Sequence, residues 1–384
     1  MTEGAHPVPD EESIAGARKI VALANRATEK DLVFTVFSDG ASSLFPLPAD
    51  EFNLDDLRAL YKLAIKFGNQ TIITKTMVYF SQVGCGRIMT KIQPARSVNL
   101  IMCTVPYRRW GGKVPTSQIF VPTWPSGLRR MDAAARQFQI EPWFAELPTR
   151  MREVLERRDE RFEVPALADF EKMRLSYWQP VDAHQMVTAA KARAEQLGVR
   201  GEILGLWSLA DCAETAHILS GIARQVALYG EPFEPPVALI STGELTVPVG
   251  DTNGIGGRNQ EFAVRTAGYL AGKLGKANSA ALQVGIDISA DVVVASVDSD
   301  GTDGPGTQFN QNAPEDFRCQ AGALADYSTF ERATELGIDL PAELREHNTS
   351  LPLWRLGDSL YTGHTGTCLG DLRVVLVTRR HVGE

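Results

Sequence analysis

Short apolar runs of strand length recur along this chain, each opening into a loop of Gly, Ser, Thr and Asp, with helical periodicity following. That rhythm restricts the fold to helices layered on a mostly parallel sheet. The first run, LVFTVF at Leu32 to Phe37, ends in SDGASS and leads to a helix expected from Leu54 to Lys66, stopped by Gly68. Upstream, Ile14, Ala17, Val21 and Ala24 fall at helical spacing behind Asp10, a candidate N-cap. A second apolar strand is expected at Val98 to Val105. The aperiodic stretch after it, YRRWGGKVPTSQIFVPTWPSG, reads as a long loop serving as a lid or cover.

Helical patterns follow at Met131 to Ile140, Thr149 to Arg161 and Asp182 to Leu197, then a strand in GEILGLWSL. Asp211 and Glu214 offer a capping box for a helix reaching Leu228. The proline-rich GEPFEPP at Gly230 to Pro236 marks the expected domain boundary, giving domains 1–235 and 236–384. The second half predicts a strand at 237–241, a helix at 259–274, a strand at 291–297, a helix at 323–336 and a closing strand at 372–379.

Composition limits the function. The 384 residues are 44% hydrophobic and 22% charged, enough for two domains, and a net charge of -8 gives no global attraction to nucleic acid or anionic lipid. Five widely spaced cysteines without a C-x-x-C pair argue against a disulfide framework or structural zinc and fit a reducing cytoplasm. MTEGAHPVPDEE has no signal-peptide pattern, and no run of roughly 18 apolar residues appears, so neither export nor a membrane is expected. The common hydrolase, zincin, P-loop and dinucleotide fingerprints are absent as well.

Four loops concentrate polar residues after strands, where open α/β sheets place their ligands. One carries Ser38, Gly40 and Ser42. A second runs through Gly243 and Glu244 to GIGGRNQE, in which Gly256 and Gly257 let backbone N–H groups approach an oxyanion, Arg258 adds a charged fork, and a helix begins at Asn259. An anionic ligand fits there; so does a turn capped by Asn259 with a solvated Arg258. On a surface loop, Arg258 is expected to matter for binding or turnover and little for folding. In the third loop, DSDGTDGPG, Asp298, Asp300 and Asp303 could hold Mg2+ through one or two carboxylates and waters, or form a cluster of Asx turns. A calcium hand does not fit, since position five is Thr302 and the closing Glu is missing. The fourth, TGHTGT, offers Thr362, Thr365 and Thr367 hydroxyls, Gly366, and His364 as an acid/base or phosphate ligand; it equally suits a tight turn. His347 has no motif around it.

STGELTVPVGDTNGIGGRNQEF, SDGTDGPG followed by AGALAD, and TGHTGTCLGDLRVVLV resemble the MOFRL family of glycerate 2-kinases, with its SGGE-T-V, G-GGRNQE, TDG-DGPT and TGPTGTNV-DL segments. AHPVPDEES, SDGASSLFPLP and FSQVGCGRI resemble the family's GHPVPDE, SGGGSALLP and LS-VKGGRL, in the same order. The resemblance implies a Rossmann-like α/β domain followed by a smaller α/β domain, with the site between them. It also implies transfer of the γ-phosphoryl group of ATP, with Mg2+, to the 2-hydroxyl of D-glycerate. Arg258 would face the substrate carboxylate or the moving phosphoryl group, and Asp300 and Asp303 would be metal or base residues. The family's other label, hydroxypyruvate reductase, lacks a dinucleotide fingerprint to support it.

Three departures bear on activity. The sequence starts at about the GHPVPDE position and contains no V-G-A-G-K-A motif, whose lysine in the family contributes to catalysis, so phosphoryl transfer is expected to be slow. Asp39 stands among the residues matching SGGG, and Arg108 and Arg109 replace an acidic segment. The alternative reading is a diverged member that binds a small carboxylate without kinase activity, or acts on another hydroxy or keto acid. Either way the partner is a small molecule, and a homodimer is the assembly entertained.

Overall fold

The computed structural model describes residues 2–38, 40–69, 71–102, 104, 122–124, 131–275, 291–304 and 317–380. It divides into two compact units, Met1–Pro180 and Val181–Glu384. The expected long loop with Arg108 and Arg109, together with Asp39, lies outside the described residues, as does the side chain of Ser42.

In the first unit, β1 (Leu32–Ser38), β2 (Arg96–Met102) and β3 (Leu175–Trp178) form a parallel sheet in that order. Its helices are α1 (Glu11–Ala24), α2 (Ala41–Leu44), α3 (Leu54–Lys66), α4 (Thr71–Phe80), α5 (Arg87–Ile92), α6 (Met131–Phe138), α7 (Thr149–Arg157) and α8 (Leu167–Glu171). Asp10 caps α1 as expected: its Oδ1 accepts the Ser13 N–H at 2.8 Å, and the Asp10 N–H donates to Ser13 Oγ, closing a capping box. α3 matches its expected span, and Gly68 follows it with φ 56, the left-handed geometry that glycine tolerates best. Ile14, Leu57, Leu60, Phe80, Phe138 and Phe170 share the core of this unit.

The second unit contains α9 (Ala183–Gln196), β4 (Arg200–Leu206), α10 (Cys212–Tyr229), β5 (Val237–Thr242), α11 (Arg258–Leu270), β6 (Val292–Asp298) and β7 (Gly322–Ala325). It ends with α12 (Thr329–Glu335), α13 (Leu340–Arg345), α14 (Ser350–Leu356), β8 (Ser359–Leu360) and β9 (Asp371–Val377). Its sheet order is β4-β5-β9-β6-β7-β8. Only β4 and β5 pair in parallel; β9 runs antiparallel between β5 and β6. The second sheet is therefore mixed, where the element pattern suggested a mostly parallel one. All six residues of β5 are buried because apolar layers cover both faces. Val237, Leu239, Val294 and Val375 pack with α10 and α11, while Ala238 and Ile240 pack with Val187 of α9.

The units meet between Pro180 and Val181, upstream of the proline-rich hinge taken as the boundary at 235/236. A cut at the hinge would separate β4 from β5, whose register runs from Arg200–Val237 to Leu206–Thr242. The second unit is also not the smaller one, since it includes α9, β4 and α10.

The helix expected at 323–336 is a strand followed by a helix. GALA has helical propensity, yet Gly322 lies so close to β6 that a Cβ there would come within 2.0 Å of the Ser296 carbonyl, and sheet pairing prevails over propensity. Asp326 then turns the chain: its carboxylate accepts the Ser328 N–H at 2.8 Å, and its own N–H donates to Thr329 Oγ1. Among the described residues no helix is long and apolar enough to cross a membrane.

Candidate active site

Because β9 is antiparallel to β5 and β6, its first residues stand beside the last residues of both strands. The register pairs Asp298 with Asp371 and Thr242 with Leu372. This edge gathers the Ser241–Glu244 loop, the Asp298–Gly304 loop, the end of TGHTGT and the N-terminus of α11, a place where ligands bind in open α/β sheets.

Arg258 stands at the centre. Its Nε donates to both oxygens of Asp371 at 3.0 Å, its Nη2 lies 2.5 Å from Asp298 Oδ2, and Glu244 is 3.8 Å away. Asp371 and Asp298 are buried, and only 20% of the Arg258 side chain is exposed. Burial opposes its charge, but Asp371, Glu244, Asp298 and Asp303 outweigh that and hold its pKa well above the usual range. Of the two readings of Arg258, a charged donor to an anion or a solvated residue of a turn, the second does not hold: the side chain is largely buried as a counter-ion for several carboxylates.

Asp303 is placed otherwise than its expected role as a metal ligand beside Asp300. Its carboxylate accepts the backbone N–H groups of Asn259 (3.1 Å) and Gln260 (2.9 Å) and the Asn259 side-chain amide, capping α11. The anion at this helix N-terminus thus comes from the chain itself. Gly257 makes this possible, because a Cβ there would stand 2.2 Å from Asp303 Cγ. Gly256 packs just as closely, against the His347 carbonyl and Thr349 Oγ1, so both glycines serve loop-to-loop contact. Burial pushes the Asp303 carboxyl up to about 6, against the pull of Arg258 and the two N–H donors.

The carboxylates that do converge are Asp298 and Asp300. With the Cys368 thiol they form a group whose ligand atoms all lie within 4.8 Å of one another, the one such set among the described residues. Two carboxylates with room for waters suit a hard cation such as Mg2+, for which the thiol is a poor ligand. Burial, reinforced by Asp371, Asp300 and Glu244 and opposed by Arg258, pushes the Asp298 carboxyl up to about 9. A carboxylate so reluctant to ionise marks a surplus of negative charge that a cation would relieve.

TGHTGT docks on the acidic loop. Thr365 Oγ1 donates to the Ser299 carbonyl and the Thr365 N–H to the Asp300 carbonyl, while a Cβ on Gly301 would meet the Gly363 carbonyl at 1.9 Å. Thr365 therefore ties loops together. Thr362, His364 and Gly366 stay exposed, and Thr367 Oγ1 is buried without a hydrogen-bond partner. In the first unit, Ser38 ends β1, and Gly40 (φ 86) precedes α2.

Sequence reasoning missed three residues. Asp371 and Arg373 have no role in the sequence reading, whose closing strand begins only at 372, yet both are fully buried. His347 Nδ1 lies 2.5 Å from Glu261, which also pairs with Arg265. For Asp371 and Arg373 the available signal was two charges spaced two apart at the head of an apolar strand, which share one sheet face.

Residues 237–371 match the MOFRL family, and residues 1–111 match a domain of unknown function, DUF4147. A glycerate 2-kinase of Pyrococcus horikoshii is 28% identical over 381 residues, covering 99% of this chain and 78% of that protein. A protein of Agrobacterium vitis provisionally named a hydroxypyruvate reductase is 31% identical over 380 residues, covering 98% and 77%. The crystal structure of a glycerate kinase from Thermotoga maritima superposes with a TM-score of 0.66 at 27% identity, over 98% of this chain and 80% of that one.

Proposed function

The chain belongs to the MOFRL family, and from that premise we propose that it is a glycerate 2-kinase, moving the γ-phosphoryl group of ATP to the 2-hydroxyl of D-glycerate. The observation that carries the assignment of the site is the convergence of Asp298 and Asp300 beside Arg258 at the sheet edge.

In this reading Asp298 and Asp300 would hold Mg2+ through their carboxylates, and an ion held there would supply positive charge to the phosphate oxygens, the main requirement of a loose phosphoryl-transfer transition state. Arg258, fixed through Nε by Asp371, keeps its Nη edge toward Asp298 and Glu244, where it meets the reacting phosphate or the glycerate carboxylate. The exposed residues of TGHTGT, with His364 at the tip, contact the ligand from the solvent side. Gly243 supplies a backbone donor. Asp303 positions α11 and takes no part in metal binding.

The same reading places the enzyme in a reducing cytoplasm, where widely spaced cysteines have no framework to form, and gives it a homodimeric assembly. The test is turnover: the protein with ATP, Mg2+ and D-glycerate, ADP release followed by a coupled assay and the product by phosphorus NMR. The expected product is 2-phosphoglycerate. Absence of ADP release, or nicotinamide-dependent reduction of hydroxypyruvate in its place, would refute the assignment.

A further inference from the structure

Arg373 on β9 is among the largest fully buried side chains of the described residues. Burying a guanidinium carries a heavy desolvation cost, and an apolar residue of similar volume is often tolerated as well or better. Packing alone therefore does not account for it, and its partners suggest what does. Nη1 donates to the Gly243 carbonyl at 2.7 Å and to Asp371 Oδ2 at 3.1 Å, Nη2 donates to the Thr242 carbonyl at 2.6 Å, and Nε reaches Ser241 Oγ at 3.3 Å. Its flat face lies 5.8 Å from the Phe262 ring of α11.

These bonds reach Arg258 by two routes. One runs through Asp371, whose carboxylate also takes Arg258 Nε and the Asn259 amide. The other runs through Thr242 and Gly243, the turn that delivers Glu244 to within 3.8 Å of Arg258 Nη2. Gly243 leaves that turn little freedom: with φ 98, a Cβ there would lie 2.7 Å from the Trp207 backbone. One planar side chain thus holds both the anion behind Arg258 and the loop beside it.

We propose that Arg373 is a positioning residue for phosphoryl transfer, fixing the Arg258 guanidinium relative to Glu244 and Asp298 through Asp371 and the Thr242–Gly243 carbonyls. It touches neither substrate. The proposal rests on the reading that Arg258 meets the reacting groups.

The test is a double-mutant cycle on the full chain: Arg373→Met, Arg373→Lys, Arg258→Ala and Arg373→Met with Arg258→Ala, each measured for kcat, for KM with ATP and glycerate, and for thermal midpoint. Displacing a reacting group by about 1 Å costs on the order of 100-fold. Arg373→Met should therefore lower kcat by about 10- to 100-fold while KM for ATP changes less than about threefold, and Arg373→Lys should recover part of the loss. Once Arg258 is gone, Arg373→Met should cost little more, a coupling that a purely structural role would not produce. An active Arg373→Met protein with unchanged kcat, or losses that multiply fully in the double variant, overturns the proposal; if Arg373→Met fails to fold, Arg373→Lys alone and with Arg258→Ala decides by the same coupling. Should Arg258→Ala lose activity while the Arg373 variants keep it, only this proposal fails. Should Arg258→Ala itself turn over normally, the reading of Arg258 fails with it.

Discussion

The Asp303 carboxylate seats itself on two N–H groups in the first turn of α11, those of Asn259 and Gln260. A helix end that would otherwise draw a phosphate is thereby satisfied from within, and the positive charge left for a ligand at this edge is that of Arg258.

Removing that cap should weaken the fold more than the chemistry. Asp303→Ala is expected to cost about 1–2 kcal/mol, lowering the thermal midpoint by several degrees, with Mg2+ affinity changed less than about threefold. Gly257→Ala should be worse, since its new methyl would occupy the Asp303 carboxylate position. Thermal unfolding followed by circular dichroism ranks the two, and a Gly257→Ala protein as stable as the parent would contradict the packing described.

Stability should carry an acid signature. In the folded chain Asp303 sits at about 6 and Asp298 at about 9, against an ordinary 3.8, so the native state holds protons that the unfolded chain releases. The stabilisation from these groups is full below about pH 4 and is lost as pH rises through each folded value. For Asp303 the displacement amounts to something on the order of 3 kcal/mol. Urea midpoints measured from pH 4 to 9 should fall more steeply for the parent than for Asp298→Asn; parallel curves would count against it.

Cation binding must compete with the proton on Asp298. Mg2+ affinity should therefore rise with pH toward about 9, and near neutrality binding should release close to one proton per ion. Titration calorimetry in buffers of different ionisation enthalpy measures this directly. Asp298→Asn or Asp300→Asn should weaken binding by about 10-fold or more, and retention of full affinity would move the ion elsewhere.

Arg258→Ala should lower turnover sharply, to a residual rate that can still be measured, and also destabilise the protein. The substitution strands the buried Asp371 carboxylate, and breaking a buried ion pair costs about 3–5 kcal/mol. The loss of activity agrees with the expectation from the sequence; the loss of stability departs from it, because the side chain is largely buried. A thermal midpoint equal to the parent's, measured alongside activity, would show that the carboxylates find other partners.

Local physics was legible in the sequence where it was sufficient. Asp10 and Asp211 announced their helices through N-capping, Gly68 followed its helix in left-handed geometry, and LVFTVF could be little except a strand. What escaped depends on partners distant in sequence. GALA becomes a strand because β6 lies beside it, and β4 joins the second unit because β5 pairs with it. In the site, the spacing of Asp300 and Asp303 suggested a shared ion, yet the tight turn at Gly301 sends one toward Cys368 and the other under α11. The spacing in DLRVVLV puts its arginine on one sheet face with Asp371 but does not say what satisfies it once buried, because the carbonyls that do so belong to Thr242 and Gly243, far upstream.

Backbone meets backbone where Gly301 presses on the carbonyl of Gly363, leaving no space for even a methyl group. The acid-bearing turn and the threonine turn are consequently welded into a single platform, unable to drift apart as sequences diverge. Exposed His364, by contrast, can be exchanged without unseating the floor beneath it, so under the proposed reading its substitution would alter ligand contacts and leave the platform in place.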